Sequence, residues 1–303
     1  MLEILIGLPA SGKSSYCKDK LKENKDIEIV SSDAIREEVF GDVNDQSHNG
    51  EVFNIVFKRV REAILNNRDV ILDATNLSRK RRINFIKEMP KTFIRAIVFA
   101  VPFEICCERN AHRNRVVPQT VMERMYKQFE VPSYAEGFDD IKIVKNSISD
   151  ESIEDILAEN IKCSHDNPHH RLSCGEHCLA AEEYIKELWY NSSIEDKDDY
   201  IILSNAARYH DVSKYKCKTF YNAKGEKSKI AHYYGHENCS AYDYLAYYNG
   251  CFNEQSMLLV ANLINSHMMF FAGDIVVNRK KLFYGEKFFK LLSILHEADL
   301  ASH

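Results

Sequence analysis

Short apolar runs alternate with longer helical patterns through the first half of the chain. The runs occupy residues 2–6, 27–30, 70–72, 93–98 and 141–144. Strands that alternate with helices predict an α/β domain whose parallel sheet carries helices on both faces. Because ligands bind at the carboxyl ends of the strands in such sheets, we expect the chemistry to lie just after each run.

The second half of the chain has a different pattern. Long helical patterns dominate it, and strand signals are few. We place the boundary near residues 146–164, where polar residues open a short acidic helical stretch. The 303 residues are enough for two domains of ordinary size, and the patterns predict them at residues 1–150 and 165–303.

Composition also differs between the two halves. Twelve of the fifteen arginines precede residue 150, whereas ten of the twelve histidines and thirteen of the sixteen tyrosines follow it. An arginine-rich half suits phosphate binding, and a histidine-rich half suits metal binding. The net charge of −5 means that any binding of nucleic acid must rely on a local basic surface.

The sequence carries no evident targeting signal. No apolar run approaches the roughly 18 residues of a membrane span, and the first predicted strand starts directly at the N-terminus. Nine cysteines without a secretory signal are typical of reduced thiols. We therefore expect a cytoplasmic protein with no membrane partner.

The turn after the first apolar run carries the most specific motif. It reads Gly-Leu-Pro-Ala-Ser-Gly-Lys-Ser from Gly7 onwards and matches G-x-x-x-x-G-K-[ST] between a predicted strand and a predicted helix. Gly7 and Gly12 let backbone N–H groups point at phosphate oxygens. Lys13 can reach the β- and γ-phosphates of ATP, Ser14 can hold Mg²⁺, and Ser15 is a further nucleotide-binding candidate.

Charged residues follow the second and third runs as well. Asp33 and Arg36 share the first turn of a predicted helix, where a carboxylate could accept the proton of a hydroxyl and an arginine could clamp a phosphate. An N-cap aspartate with a solvated arginine would have the same spacing. After the third run, Asp73 could orient Mg²⁺, and Thr75 and Asn76 could bond the acceptor.

Two basic segments complete the first half. The four basic residues at positions 79–82 could contact a nucleic-acid backbone, or they could form the exposed face of a helix. Arginines within residues 108–115 could form a lid that closes over ATP, or they could complement the dipole of their own helix.

These segments, in this order, resemble the kinase domain of phage-type polynucleotide kinases. Residues 40–49 and 128–132 also carry the resemblance, which covers about the first 150 residues. It implies transfer of the γ-phosphate of ATP to the 5′-hydroxyl of RNA or DNA, with Asp33 as general base, Arg36 as clamp on the substrate phosphate and Arg113 as lid arginine. The broader family includes kinases of small molecules, so the acceptor is less defined than the reaction.

Histidines and aspartates recur through the second half of the chain. Asp211 directly follows His210, and four further candidates are spread along the predicted helices: His177, His236, His267 and Asp299. Imidazoles and carboxylates on several helices can converge on one or two metal ions. An adjacent His-Asp pair is often a surface pair, however, and a single histidine is often a core residue bonded to backbone.

This set resembles the HD phosphohydrolase superfamily, in the order H…HD…H…H…D over roughly residues 165–303. The resemblance implies an all-α domain with a divalent transition metal or Mg²⁺. One ion would be held by His177, His210, Asp211 and Asp299. His236 and His267 would join a second ion, with Asp211 bridging the two. A hydroxide bound to the metal would attack phosphorus, and Lys214 could steady a phosphate.

Two other clusters are weaker candidates. Cys174 and Cys178, near His165 and the histidines at 169–170, could bind zinc, but cysteines four residues apart on a helix are often buried. Tyrosines between residues 233 and 248 could stack on bases, although their helical spacing favours core packing.

The sequence therefore predicts a two-domain enzyme that processes nucleic-acid ends, with RNA favoured over DNA. The P-loop kinase would use ATP and Mg²⁺ to phosphorylate a 5′-hydroxyl end. The HD domain would hydrolyse a phosphomonoester or phosphodiester with one or two divalent ions. Two such activities would mend complementary ends of a broken RNA, which is an argument by analogy.

Two alternatives stay open. The first is a kinase of a small metabolite or nucleotide joined to an HD nucleotidase. A closed acceptor pocket would favour it, whereas an open basic groove near Arg36, Arg79, Arg81 and Arg82 would favour a polymer. The second is a nucleotide-gated RNA-binding protein without catalysis, and the completeness of both motif sets argues against it.

Overall fold

The five apolar runs form one parallel sheet in the computed structural model, which describes residues 1–45, 47–145, 151–167 and 171–302. The strands are β1 (Leu2–Ile6), β2 (Glu28–Ser31), β3 (Val70–Asp73), β4 (Ile94–Ala100) and β5 (Asp140–Lys145). Their order is β2-β3-β1-β4-β5, and every neighbouring pair is parallel. The strand bounds differ from the predicted runs by at most two residues, so the prediction of a parallel sheet is confirmed.

Helices fill every connection between these strands, as parallel pairing requires. They are α1 (Lys13–Glu23), α2 (Ser32–Phe40), α3 (Asn49–Leu65), α4 (Arg79–Glu88), α5 (Phe103–Ala111) and α6 (Gln119–Tyr126), with a 3-10 turn at Tyr134–Glu136 before β5. The hydroxyl of Ser31 accepts a hydrogen bond from the N–H of Ala34 and caps α2. Asp33 is therefore not the N-cap, and its side chain is left for other contacts.

Two of the four basic residues that follow β3 are buried. Both oxygens of Glu136 accept hydrogen bonds from Arg82, at 2.7 and 2.8 Å, and Arg79 lies 3.5 Å from the same carboxylate. Arg82 also donates to the backbone carbonyls of Asn76 and Leu77, both at 2.9 Å. Both expectations for this run are therefore wrong for Arg79 and Arg82, because a glutamate 54 residues from Arg82 in sequence holds them in a buried ion cluster.

The described part of the second half is mainly helical. Its helices are α7 (Ile153–Ile161), α8 (Cys174–Tyr190), α9 (Lys197–Tyr209), α10 (Lys214–Cys217), α11 (His236–Tyr247), α12 (Glu254–Ser266), α13 (Asp274–Tyr284) and α14 (Glu286–Ala301), with a 3-10 turn at His267–Ala272. Residues 239–247 of α11 are all buried. A helix that is buried on all sides lies at the centre of its core.

The expected all-α architecture is wrong in one place. Between α10 and α11 the chain forms an antiparallel hairpin of β6 (Thr219–Tyr221) and β7 (Lys227–His232). The β-branched and aromatic residues of β6 suit a strand. The side chain of Asn222 accepts hydrogen bonds from the N–H groups of Lys224 and Glu226, and Gly225 has a φ of 80°, so the turn closes within a few residues.

By its internal contacts the chain divides into two units. The first comprises Met1–Met125 and Pro132–Lys145, and the second comprises Tyr126–Val131 and the described residues from 151 onwards. Part of the predicted boundary region, residues 146–150, lies outside the described residues. In the part of the chain that the structure describes, no helix combines the length and apolar character needed to cross a membrane.

The short segment Tyr126–Val131 is a built-in part of the second unit's core. Phe129 is fully buried and packs edge-on against Tyr242, with ring centroids 4.9 Å apart. The hydroxyl of Tyr126 donates a hydrogen bond of 2.6 Å to Asp243. The predicted division at residue 150 did not anticipate this segment, because its few residues carry no compositional shift.

Replacing Glu136 with alanine should destabilise the first unit by about 3–5 kcal/mol, because Arg82 and Arg79 would stay buried without a counter-charge. Differential scanning calorimetry would show a lower Tm for the transition that ATP shifts upward. In Glu23→Ala, which removes only an exposed ion pair with Lys20, the change should stay below about 1 kcal/mol. Equal melting profiles for the two variants would contradict a structural role for Glu136.

Candidate active sites

The P-loop turn between β1 and α1 depends on two glycines. Gly12 has a φ of 104°, which lies in the left-handed region. A Cβ at Gly7 would lie 2.8 Å from the hydroxyl of Ser11 and 2.9 Å from the Cβ of Phe99, too close for any side chain. The turn therefore curls tightly before α1, where backbone N–H groups and the helix dipole favour a phosphate.

Lys13 begins α1 and is enclosed by this turn. Its Nζ donates to the carbonyl oxygens of Gly7 and Leu8, at 2.9 and 2.6 Å. Burial lowers the pKa of Lys13 to about 8, although the carboxylate of Asp73 acts in the opposite direction. A buried ammonium beside neutral carbonyl oxygens gains strongly from an anionic partner such as a phosphate.

Ser14 and Asp73 lie together at the ends of two neighbouring elements. The hydroxyl of Ser14 donates to Asp73 over 3.4 Å. Burial raises the pKa of Asp73, and the charge of Lys13 opposes that shift. Hydroxyl and carboxylate oxygens are ligands that Mg²⁺ prefers, so this pair fits the ion. Ser15 is exposed in the same first turn of α1.

Asp33 is held by two arginines. Arg36 donates to one carboxylate oxygen at 2.8 Å, and Arg115 donates to the other at 2.7 Å. Arg36 is almost fully buried and also donates to Asn49 at 2.8 Å, so the alternative of a solvated arginine is wrong. Arg115 also donates to Asn44 at 2.9 Å. The Asp33 side chain stays half exposed, so a fixed carboxylate faces the solvent.

Arg115 is the functional candidate that sequence reasoning missed. The resemblance named Arg113 as the lid arginine and gave Arg115 no separate role. Arg113 is exposed, and its charge acts to lower the pKa of both Lys13 and Asp73, which indicates that it lies near the phosphate-binding side. Both arginines lie in an irregular segment, where no helical period tells which one reaches Asp33.

The two polar residues predicted to bond the acceptor both make hydrogen bonds at the end of β3, and acceptor binding by them stays a prediction. The amide of Asn76 donates to the carbonyl of Leu5 at 2.7 Å. The backbone carbonyl of Thr75 accepts from the N–H of Gly7 at 3.1 Å. These bonds keep the end of β3 beside the P-loop and so help to position the nucleotide-binding turn.

The four arginines named for a basic groove do not form one. Arg36, Arg79 and Arg82 are buried, and only Arg81 of the four is exposed. One argument for a polymeric acceptor is therefore lost from these residues.

The six predicted ligands of the second unit converge on each other and are all buried. His177 lies in α8, His210 and Asp211 directly follow α9, His236 begins α11, His267 directly follows α12, and Asp299 lies in α14. Their ligand atoms form two groups, within each of which the atoms lie no more than 4.8 Å apart.

The first group contains His177, His210 and Asp299. The Nε2 atom of His177 lies 3.0 Å from the carboxylate of Asp299 and 3.2 Å from the Nε2 atom of His210. The Nε2 atom of His210 lies 3.5 Å from the same oxygen of Asp299. Three ligand atoms on three helices thus face one point.

The second group contains Asp211, His236 and His267, and Asp211 faces the first group as well. Its Oδ1 atom lies 3.1 Å from the Nε2 atom of His236 and 3.4 Å from that of His267. Its Oδ2 atom lies 3.6 Å from the Nε2 atom of His210 and 3.8 Å from that of His177. Asp211 thus has oxygen atoms near the histidines of both groups, and the bridging of two ions that the resemblance implied stays a prediction.

The histidine tautomers follow from backbone contacts. The Nδ1 atoms of His210, His236 and His267 lie 2.7 to 2.8 Å from the carbonyl oxygen three residues earlier in each case. A carbonyl only accepts, so each Nδ1 carries a proton, and in the neutral imidazole each Nε2 presents a lone pair to its group. Lone pairs that face carboxylates repel unless a cation lies between them. This donor set fits a divalent ion.

Lys214 compensates part of the negative charge. Its Nζ lies 2.6 Å from the Oδ2 atom of Asp211. Burial alone would raise the pKa of Asp211, but the ammonium group of Lys214 opposes this and is the largest cause that holds that pKa well below its usual range. Asp211 therefore presents a carboxylate to the histidines of both groups.

The cluster of Cys174, Cys178 and His165 forms no ligand group within the described residues. The thiol of Cys178 donates to the carbonyl of Cys174, and the Nδ1 atom of His165 lies 2.8 Å from the carbonyl of Leu172. The histidines at 169–170 lie outside the described residues. The tyrosines of α11 are buried, as their helical spacing predicted, but core packing is wrong for Tyr234, which is 46% exposed.

The P-loop turn, the enclosed lysine and the serine–aspartate pair define a phosphotransferase that uses ATP and Mg²⁺. A family model described as an AAA domain matches residues 2–132. The chain is also 32% identical over 181 residues to the L-seryl-tRNA(Sec) kinase of Methanococcus maripaludis. This alignment covers 55% of the chain and 70% of the relative. The chain therefore belongs to the family of P-loop kinases that includes this relative.

Two solved structures are similar over a smaller share of the chain. A chain of the Pnkp1/Rnl/Hen1 complex is 27% identical with a TM-score of 0.34, covering 39% of this chain and 41% of that one. A chain of the Pnkp1/Rnl/Hen1 RNA repair complex is 24% identical with a TM-score of 0.37, covering 42% and 43%. The chain thus spans less than half of either, and at such TM-scores the likeness says nothing about activity.

Binding of ATP should weaken as the pH rises through the pKa of Lys13, which is about 8. Only the protonated amine attracts phosphate, so at pH 9 about a tenth of the molecules would carry the charge, and the affinity should fall by up to about tenfold from its value at pH 7.5. Isothermal titration calorimetry with ATP and Mg²⁺ measures this.

Lys13→Met should bind ATP weakly and without this pH dependence. Lys18→Met changes an exposed lysine on the same helix and should keep the wild-type profile. A wild-type affinity that does not change between pH 7.5 and 9 would mean that Lys13 is not the phosphate partner.

Proposed function

We propose that the chain is a bifunctional enzyme of nucleic-acid ends, with RNA favoured over DNA. The first unit would phosphorylate 5′-hydroxyl ends, and the second would hydrolyse phosphate esters as a member of the HD phosphohydrolase superfamily. The observation that carries this proposal is the convergence of six buried ligands in a chain that also has a P-loop kinase site. Two such sites suit an enzyme that adds phosphate to one kind of end and removes it from another.

The acceptor side of the kinase supports a base and a clamp. Asp33 would accept the proton of the attacking hydroxyl, since its carboxylate is held by Arg36 and Arg115 and stays half exposed. Arg36 would also bind a phosphate of the acceptor strand. Mg²⁺ at Ser14 and Asp73 would offset the charge that develops on the transferred phosphoryl group.

The second site supports hydrolysis of a phosphate ester. One or two divalent ions, Mg²⁺ or a transition metal, would supply a Lewis acid and lower the pKa of a water. His210, His236 and His267 would keep their lone pairs on the ions through their backbone hydrogen bonds. Lys214, which lies 2.6 Å from Asp211, would bind a phosphate oxygen of the substrate.

A second candidate acceptor is a hydroxyl on a small molecule or on an aminoacyl group. The relative in Methanococcus maripaludis is named for a seryl-tRNA, and the burial of Arg79 and Arg82 weakens the argument for a long basic groove. The same name supports RNA over DNA as the carrier of the hydroxyl. A non-catalytic RNA-binding protein would need neither Asp33 nor the six ligands.

Labelled ATP offered with 5′-hydroxyl RNA, 5′-hydroxyl DNA, a nucleoside 3′-phosphate and a nucleoside should label the RNA best. Asp33→Asn should lower kcat by about 10²–10⁴-fold with little change in the acceptor KM, because proton transfer matters only in the transition state. Arg36→Ala should raise KM mainly for acceptors that carry a 3′-side phosphate.

Asp19→Asn, which alters an exposed carboxylate paired with Lys22, is the control and should leave these constants unchanged. Equal losses for the nucleoside and the oligonucleotide would remove Arg36 from the clamp role. Labelling of small hydroxyl compounds alone would favour the second candidate acceptor.

Asp211→Asn should remove bound metal and phosphohydrolase activity together, because Asp211 faces both ligand groups. Asp299→Asn should cost metal from its own group only. Mass spectrometry gives the metal content, and release of phosphate from 3′-phosphate, 2′-phosphate and 2′,3′-cyclic ends gives the activity.

Asp198→Asn, an exposed carboxylate in the first turn of α9, should keep both properties. Kinase activity should survive in all three variants, since the kinase site lies in the other unit. Full metal content and hydrolysis in Asp211→Asn would contradict the assignment of the second site as a metal-dependent phosphohydrolase site. A thermal melt identifies a variant that has simply unfolded.

A further inference from the structure

The β6–β7 hairpin exposes large aromatic side chains. Phe220 is 43% exposed and Tyr221 is 49% exposed, and Tyr234, just beyond β7, is 46% exposed. Tyr234 stacks on His232 with an angle of 9° between the rings. Aromatic rings this open contribute little to a core, so their contribution to the second unit's stability is small. Proteins that bind single-stranded nucleic acids use exposed aromatic rings as platforms on which the bases stack.

The same hairpin is locally basic in a chain whose net charge is negative. Lys224, Lys227 and Lys229 are exposed on the turn and on β7, against the single acid Glu226. Neither Lys227 nor Lys229 forms an ion pair with another residue that the structure describes. Basic side chains interleaved with aromatic rings complement a polyanion whose bases are free to stack.

The base of the hairpin adjoins the candidate metal ligands. In sequence the hairpin lies between Asp211 and His236, so both of its ends lead into ligand-bearing segments. The Nζ atom of Lys214 lies 5.3 Å from the ring centroid of Tyr233, which follows β7. Tyr233 also donates a hydrogen bond to the carbonyl of His165, whose ring lies 5.7 Å from the ring of His177.

We propose that the β6–β7 hairpin docks the single-stranded segment that adjoins the phosphate hydrolysed in the second site. Bases would stack on Phe220 and Tyr221, and Lys227 and Lys229 would contact the backbone phosphates. This inference rests on the proposed phosphohydrolase function, and it assigns that site a polymeric substrate. A mononucleotide would occupy the metal site alone and gain nothing from the hairpin.

The test compares a fluorescein-labelled, 3′-phosphorylated 12-nucleotide RNA with a nucleoside 3′-monophosphate. Phe220→Ala/Tyr221→Ala should weaken binding of the 12-mer by about 10- to 100-fold in fluorescence anisotropy. It should raise the hydrolytic KM for the 12-mer by a similar factor, with kcat and the KM for the mononucleotide unchanged. Tyr190→Ala removes a ring that is 82% exposed at the end of α8 and should bind like the wild type.

Two further comparisons separate stacking from charge. An abasic 12-mer should bind the wild type as weakly as the intact 12-mer binds the aromatic double variant. Lys227→Gln/Lys229→Gln should reduce the slope of log affinity against log salt by about 0.7 for each lost phosphate contact. Lys290→Gln, which changes an exposed lysine of α14, should leave that slope unchanged.

Equal affinities of the wild type and both hairpin variants for the 12-mer would overturn the proposal, as would hairpin-dependent binding to anionic vesicles without binding to RNA. Anisotropy needs no catalysis, so the two hypotheses can fail separately. Hairpin-dependent binding in a protein that hydrolyses no phosphate ester would keep the docking surface and remove the phosphohydrolase function. If both substrates are hydrolysed and the hairpin variants have no effect, the phosphohydrolase function is kept and the docking surface is removed.

Discussion

A buried charge is stable only when it is paired, and both units are organised around carboxylates that meet this condition. In the first unit Glu136 holds Arg82, and Arg82 in turn holds the carbonyls of the loop that follows β3. In the second unit Lys214 balances only part of the charge of Asp211, whose oxygens also face histidine nitrogens. The first cluster is complete with protein groups alone, whereas the second has the composition of a cation site.

Helix ends place three of the four histidines of that site. His210 and His267 stand just after α9 and α12, and His236 stands at the first position of α11. Each bonds the carbonyl three residues earlier, so the backbone itself fixes the ring and its tautomer. For these three histidines no side chain is needed to orient the ring, whereas the Nδ1 atom of His177 lies 2.9 Å from the hydroxyl of Ser302.

Much of this arrangement can be predicted from the sequence because the signals are local. The central strand β1 is apolar at four of its five positions, and the P-loop has fixed spacing. The order of the six metal-ligand candidates along the chain also carries information that a single histidine does not. What local patterns cannot give are partners distant in sequence. Glu136 buries Arg82 from 54 residues away, and Arg115 reaches Asp33 from 82 residues away. The β6–β7 hairpin was missed for another reason, since three residues of β6 are too few to show a period.

The insertion of that hairpin between Asp211 and His236 separates two requirements of the second site. The ligand geometry is fixed by buried helix ends and backbone carbonyls, so it does not depend on the exposed residues of the hairpin. Changes at Phe220, Tyr221 or Lys229 can therefore alter what binds without moving a ligand atom. Under the proposed function, the site would keep one phosphate chemistry while the hairpin selects the strand, and the cost in stability is small because those side chains contribute little to the core.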